Sequence, residues 1–135
     1  MKILIIDDNP ADRTFYKKNI EDCNLFENVE IKECGGLVQA FKLIEEDDDF
    51  DLIILDLGLP ESDGIQTVIK THKELQKKET MPPIIVLTGL EDHLIGTEAY
   101  KHGVKDFLTK GEVEVNAKEL SRSIKYATYS LNFKG

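Results

Sequence analysis

Asp7 and Asp8 close the run KILIIDD, Asp56 closes DLIILD, Thr88 closes PIIVLT, and Lys110 follows VKDFLT. A carboxylate at the end of an apolar run is costly to bury. Each of these residues has an ordinary reading by itself: Asp8 as a helix cap, Asp56 as the start of the loop to Gly64, Lys110 as a solvated loop lysine. Those readings do not explain why all of them stand at the same end of their runs. Three carboxylates within a few ångströms of one another repel, so that one takes up a proton or a cation binds. Oxygen ligands with room for water suit Mg²⁺, which commonly pairs one or two carboxylates with phosphate oxygens. A carboxylate beside such an ion can attack a phosphoryl group and form an acyl phosphate. The metal, a lysine and a hydroxyl then neutralise charge on the oxygens of the group in transfer.

The elements that must hold these residues alternate along the chain. Five strand-like runs cover 2–7, 29–34, 51–56, 83–88 and 104–109. The first, third and fourth are apolar at nearly every position, as in strands covered on both faces. The second alternates, Val29 and Ile31 against Glu30 and Lys32, and the fifth is mixed, so both are expected at sheet edges. Five helices are predicted between and after them. The first begins at Asn9-Pro10, cap followed by proline. The second runs from Gly36 to about Glu46, with Leu37, Ala40, Phe41 and Ile44 at helical spacing. The third extends from Gly64 past Leu75 with Ile65, Val68, Ile69 and His72 on one face, the fourth covers Glu91 to His102, and the fifth starts near Val115.

Strict strand–helix alternation with short connections predicts an α/β fold: a doubly wound, five-stranded parallel sheet with helices on both faces. Edge positions for the second and fifth strands match the flavodoxin-like order 2-1-3-4-5. Ligands then bind beyond the carboxyl ends of the strands, where the order reverses between the first and third. Asp7, Asp8 and Asp56 are the residues at that point.

The 135 residues are 41% hydrophobic and 32% charged, which suits one compact domain over 1–135. Apolar runs of about six residues are far short of the ~20 that span a bilayer, and no signal peptide is evident, so neither membrane nor export is expected. A formal net charge of −9 argues against direct binding of nucleic acid. Cys23 and Cys34 lack metal-site spacing and read as reduced structural thiols of a cytoplasmic protein.

The segments IIDDNPADR (5–13), LDLGLPESDG (55–64), VLTG (86–89) and FLTK (107–110), in this order and at these strand ends, resemble the response-regulator receiver domain of two-component signalling. The likeness extends over nearly the whole chain. It implies Asp56 as the phosphoacceptor, Asp8 as a direct Mg²⁺ ligand, Asp7 as a ligand acting mainly through water, and the Gly58 carbonyl completing the protein ligands. It further implies that Thr88 swings toward the phosphoryl group, that Lys110 pairs with it, and that Phe107 is the aromatic switch residue. The phosphodonor would be a sensor histidine kinase or a histidine phosphotransfer protein. The readout would be the surface of the fourth helix, fifth strand and fifth helix.

Two features depart from the commonest pattern of that family. Lys110 is followed by Gly111 where many receivers have proline, so the path of GEVEVN is open. The residues two past Asp56 and Thr88 are Gly58 and Leu90, neither of which can position a water through its side chain. Competing readings are a Mg²⁺-dependent phosphatase of the haloacid-dehalogenase type and a docking receiver that works without phosphate. The first expects functional residues two and four past Asp7, where Asn9 and Ala11 stand, and the second expects a degraded acidic set. In the fifth helix, Leu120, Ile124, Ala127 and Leu131 form a core-facing stripe, while Tyr126, Tyr129 and Phe133 form another about 200° away. An aromatic stripe on an outer face is expected to meet a second receiver or an output segment.

Overall fold

The structure is a computed structural model; it describes residues 1–135 except 25, 48, 79–80, 90–92 and 134–135, and for 93 and 130–133 the backbone alone. Five strands, β1 (Lys2–Ile6), β2 (Glu30–Cys34), β3 (Leu52–Leu55), β4 (Ile84–Thr88) and β5 (Asp106–Thr109), form one sheet in the order β2-β1-β3-β4-β5. All four pairings are parallel, as predicted. The helices are α1 (Pro10–Asp22), α2 (Leu37–Glu46), α3 (Ile65–Leu75), α4 (His93–Lys101), α5 (Lys110–Val115) and α6 (Lys118–Phe133).

The period-two alternation of the strands divides the core in two. Leu4, Ile6, Ile53, Leu55 and Val86 point to one face and are covered by Leu37, Ala40 and Ile44 of α2, Val68 of α3 and Ala99 of α4. Ile3, Ile5, Ile54, Ile85 and Leu87 point to the other and are covered by Tyr16 and Ile20 of α1 and Leu120, Ile124 and Ala127 of α6. Burial on both faces is why β1, β3 and β4 read as unbroken apolar runs.

Asn9 caps α1 as expected, its side chain accepting from the amides of Ala11 and Asp12, with Pro10 opening the helix. The GEVEVN segment is a helix in its own right. Thr109 caps it, its hydroxyl accepting from the Glu112 amide at 3.2 Å, and Val113 anchors it in the core. The long final helix accordingly starts at Lys118, not near Val115. In α3 the buried face is Thr67, Val68, Thr71, Glu74 and Leu75, rotated from the apolar face read in the sequence. The threonines can turn inward because their hydroxyls find partners: Thr71 donates to the Thr67 carbonyl at 2.8 Å, and Thr67 to Ser62 Oγ at 2.8 Å. Leu90, the start of the fourth helix at Glu91, and the side chains of Leu131 and Phe133 lie outside the described residues.

An ionic tie closes the end of the sheet away from the acidic cluster. Asp47 Oδ2 lies 2.8 Å from Lys2 Nζ and 3.1 Å from Lys32 Nζ, joining the end of α2 to β1 and β2. The hydrogen bond from Lys2 is the main reason the Asp47 carboxyl titrates at about 2. A folded-state value below the unfolded one means that the stabilisation is complete above about pH 4 and is lost as pH falls toward 2. With water screening the pair, Asp47→Asn should cost about 1 kcal/mol at pH 7 in urea unfolding, with the gap to wild type closing near pH 2. A gap of equal size at both pH values would show that the charge of Asp47 is not its source.

Candidate functional site at the carboxyl edge of the sheet

The register of β1 and β3 sets the acidic residues side by side. Ile6 pairs with Leu55, the Asp56 amide donates to the Ile6 carbonyl at 2.9 Å, and the Asp7 amide donates to Cys34 at 3.1 Å. Asp7 and Asp56 are therefore fixed by the ladder itself, just beyond its last rungs. Asp7 is 1% and Asp56 5% exposed, whereas Asp8 faces solvent at the start of the β1–α1 turn. One oxygen from each of the three carboxylates lies within 4.8 Å of the others.

Asp56 is held from two sides. Its Oδ1 accepts from the Gly58 amide at 3.0 Å, and its Oδ2 from Lys110 Nζ at 3.2 Å. A Cβ at position 58 would stand in ordinary contact with this carboxylate, 3.7 Å from Oδ1. Asp7 Oδ1 accepts from the Asn9 amide at 2.9 Å. Its Oδ2 is buried and lies 3.0 Å from Lys110 Nζ, outside hydrogen-bond geometry, so it has no hydrogen-bond partner among the described residues. Burial raises the Asp7 carboxyl above the ordinary range, more than the Asn9 amide and the Lys110 ammonium lower it, and the charge of Asp56 adds to the rise. Burial alone would lower the Lys110 ammonium, but Asp12, Asp7 and Asp56 outweigh it and leave the lysine raised and charged.

This arrangement meets the requirements of a hard divalent cation. The donors are all oxygens, one of them buried without a hydrogen bond, and the carboxylates disfavour one another's charge.

Thr88 ends β4, is wholly buried, and stands in register with Thr109, the residue before Lys110. The switch candidate Phe107 is half-buried in β5, its ring packed on Gly96 of α4. It lines a groove of about 940 Å³ between α4, β5, α5 and α6, together with Tyr100, Thr109, Val115 and Glu119. Phe107 stands three residues before Lys110, within this groove.

Three contributors were not singled out from the sequence. Asp12 Oδ2 makes the shortest contact to Lys110, at 2.8 Å. Arg13 donates to the Asp7 carbonyl at 2.6 Å and to Glu33 at 3.0 Å, fixing the end of β1 against β2. Glu61, in the loop after Asp56, accepts from the Leu37 amide and so caps α2, whose Gly36 start has no side chain to do it. Asp12 and Glu61 reach segments distant in sequence, and Arg13 reaches Glu33 across 20 positions as well as Asp7 across six. Only Arg13, one turn into α1 beside the acidic pair, carries a local hint.

The family model described as the response regulator receiver domain matches residues 3–125. The chain belongs to the response regulator receiver family. Among curated relatives of this receiver, the transcriptional regulatory protein SrrA of Staphylococcus aureus is 33% identical over 131 residues, which is 94% of this chain and 50% of that protein. The receiver spans about half the length of the curated relatives it matches. A CheY-like response regulator receiver domain protein from Methanospirillum hungatei superposes with a TM-score of 0.78 at 25% identity, covering 99% of this chain and 98% of that one. A response regulator from Burkholderia pseudomallei, solved with a phosphorylated aspartic acid, a calcium ion and citrate, has a TM-score of 0.73 at 19% identity. The match covers 98% of this receiver and 71% of that chain, and at this identity the likeness is one of fold.

Proposed function

We propose that this receiver, as a single domain over 1–135, accepts a phosphoryl group on Asp56 from a phosphohistidine of a sensor histidine kinase or histidine phosphotransfer protein. The observation that carries the reading is the setting of Asp56: its carboxylate lies between the Lys110 ammonium and the Gly58 amide, beside Asp7 and Asp8. One carboxylate oxygen attacks phosphorus, the P–O bond forms as the P–N bond to the donor imidazole breaks, and that imidazole leaves with the electron pair. Asp8 and Asp56 would hold Mg²⁺ directly, with the Gly58 carbonyl, and Asp7 chiefly through water. When bound, the ion supplies positive charge for the phosphoryl oxygens and relieves the repulsion among the carboxylates. A neighbour in fold that carries a phosphorylated aspartate and a divalent ion is consistent with this chemistry. Lys110 offers an ammonium donor beside Asp56, and Thr88 a hydroxyl at the end of the adjacent strand.

The role is that of a switch. The receiver promotes its own phosphorylation and dephosphorylation and turns over no metabolite. Added charge beside Lys110 draws it and Thr88 toward the phosphoryl group, and the Phe107 ring follows into the space released. The face of α4, β5 and α6 is the readout. Tyr126 and Tyr129, 75% and 52% exposed on α6, would meet a second receiver or an output segment. The protein would work in the cytoplasm, without binding nucleic acid itself. With Mg²⁺ and beryllofluoride as phosphate mimic, amide NMR signals should shift at Phe107 and along α4 and α6 as well as at the site. Sedimentation should show more self-association than in the free state, and less after Tyr129→Ser. Shifts confined to the residues around Asp56 would reject the coupling.

A further inference from the structure

Lys110 has three ammonium protons and three carboxylates around it, Asp12 at 2.8 Å, Asp7 at 3.0 Å and Asp56 at 3.2 Å. Asp7 and Asp56 belong to the acidic pocket. Asp12 does not: it sits in the first turn of α1, outside the trio whose oxygens could share a cation, and its contact to Lys110 is the shortest of the three. The two residues border a cavity of about 250 Å³ between α1 and α5, lined also by Phe15, Tyr16 and Glu114. The Asp12 amide is tied to the Asn9 cap, which fixes its backbone in the first turn of α1.

We infer that Asp12 is a positioning residue that restrains phosphorylation by competing with the phosphoryl group for Lys110; the inference rests on Asp56 being the phosphoacceptor. The charges set the direction. Asp7, Asp8, Asp12 and Asp56 with Lys110 sum to −3, and a divalent cation brings the site to −1. Converting the Asp56 carboxylate to an acyl phosphate adds about one further negative charge. Asp12 makes that product state one charge more repulsive and occupies one of the three Lys110 donors. The same negative charge favours the cation. Asp12 therefore acts with opposite signs on the two ligands of the site, strengthening metal binding and weakening phosphoryl binding. Because its carboxylate is partly open to water, each effect is modest.

The test is Asp12→Asn, with Asp12→Ala as a second variant, compared with wild type and Asp56→Asn in the full chain. Mg²⁺ affinity is read by titration without phosphodonor, and phosphoryl uptake from acetyl phosphate is read at saturating Mg²⁺. Both Asp12 variants should bind Mg²⁺ about two- to fivefold more weakly and take up phosphoryl groups about two- to fivefold faster. Loss of a merely structural contact between α1 and α5 would lower both quantities. Slower or unchanged phosphorylation in variants that keep the wild-type fold would overturn the inference while leaving the role of Asp56 intact. A wild type that takes up no phosphoryl group, or one whose uptake persists in Asp56→Asn, would overturn the reading beneath it and this one together.

Discussion

Asp56→Asn is expected to take up no phosphoryl group from acetyl phosphate or from a phosphohistidine donor, while keeping the wild-type fold. The amide retains the size of the carboxylate but lacks the nucleophilic oxygen anion. Its carbonyl can still accept from the Gly58 amide, now made at 3.0 Å. Lys110 loses one ion pair and keeps two, to Asp7 and Asp12. Removing a negative charge next to buried Asp7 also relieves one cause of its raised pKa. Stability without metal should therefore stay within about 1 kcal/mol of wild type in urea unfolding. Intact-mass measurement after incubation with phosphodonor reads the chemistry. Uptake equal to wild type would remove Asp56 from the role, and a variant that fails to fold would show that the carboxylate is chiefly structural.

The second large effect is expected at Asp8. This residue is exposed and supports no core contact, so Asp8→Ala should leave the unfolding curve nearly unchanged. It removes one of three oxygens that converge within 4.8 Å, and a hard cation has no softer substitute there. Mg²⁺ affinity should fall by at least about 100-fold, the upper range for residues that support a ligand without being one. Phosphorylation at moderate Mg²⁺ should fall in parallel. An unchanged affinity in a metal titration would mean that the ion, if it binds, is held without Asp8.

The strand ends were legible because both of their determinants are local. A run such as LIIL followed by aspartate announces burial and its termination in adjacent positions, and parallel pairing then brings Asp7 and Asp56 together. The Asn9-Pro10 start of α1 is likewise a two-residue signal. Helix α5 is too short to show an apolar periodicity. Its signals are Thr109-Lys-Gly-Glu112, which has the spacing of a capping box, and the single anchor Val113, whose burial fixes the turn against the second core. The rotated face of α3 was not legible, since inward threonines are acceptable only when partners such as Ser62 are already in place.

The ring of carboxylates around Lys110 shows the same limit. Its membership joins α1 to a residue 98 positions later, and no local pattern marks Asp12 for it. In contrast, Asn9 and Ala11, the positions that spoke against a haloacid-dehalogenase phosphatase, prove to be a helix cap and a first-turn residue of α1. Their structural duties agree with the family to which the chain belongs.

On the proposed function, a phosphoryl group is covalently held by Asp56. The most direct test is to phosphorylate the wild-type protein with acetyl phosphate and Mg²⁺, trap the acyl phosphate by borohydride reduction, and locate the modified residue by peptide mass spectrometry. Reduction of the Asp56 side chain to an alcohol, dependent on both phosphodonor and Mg²⁺, is the expected result. A trapped residue elsewhere, or no trapped residue under conditions where the metal is bound, would contradict it.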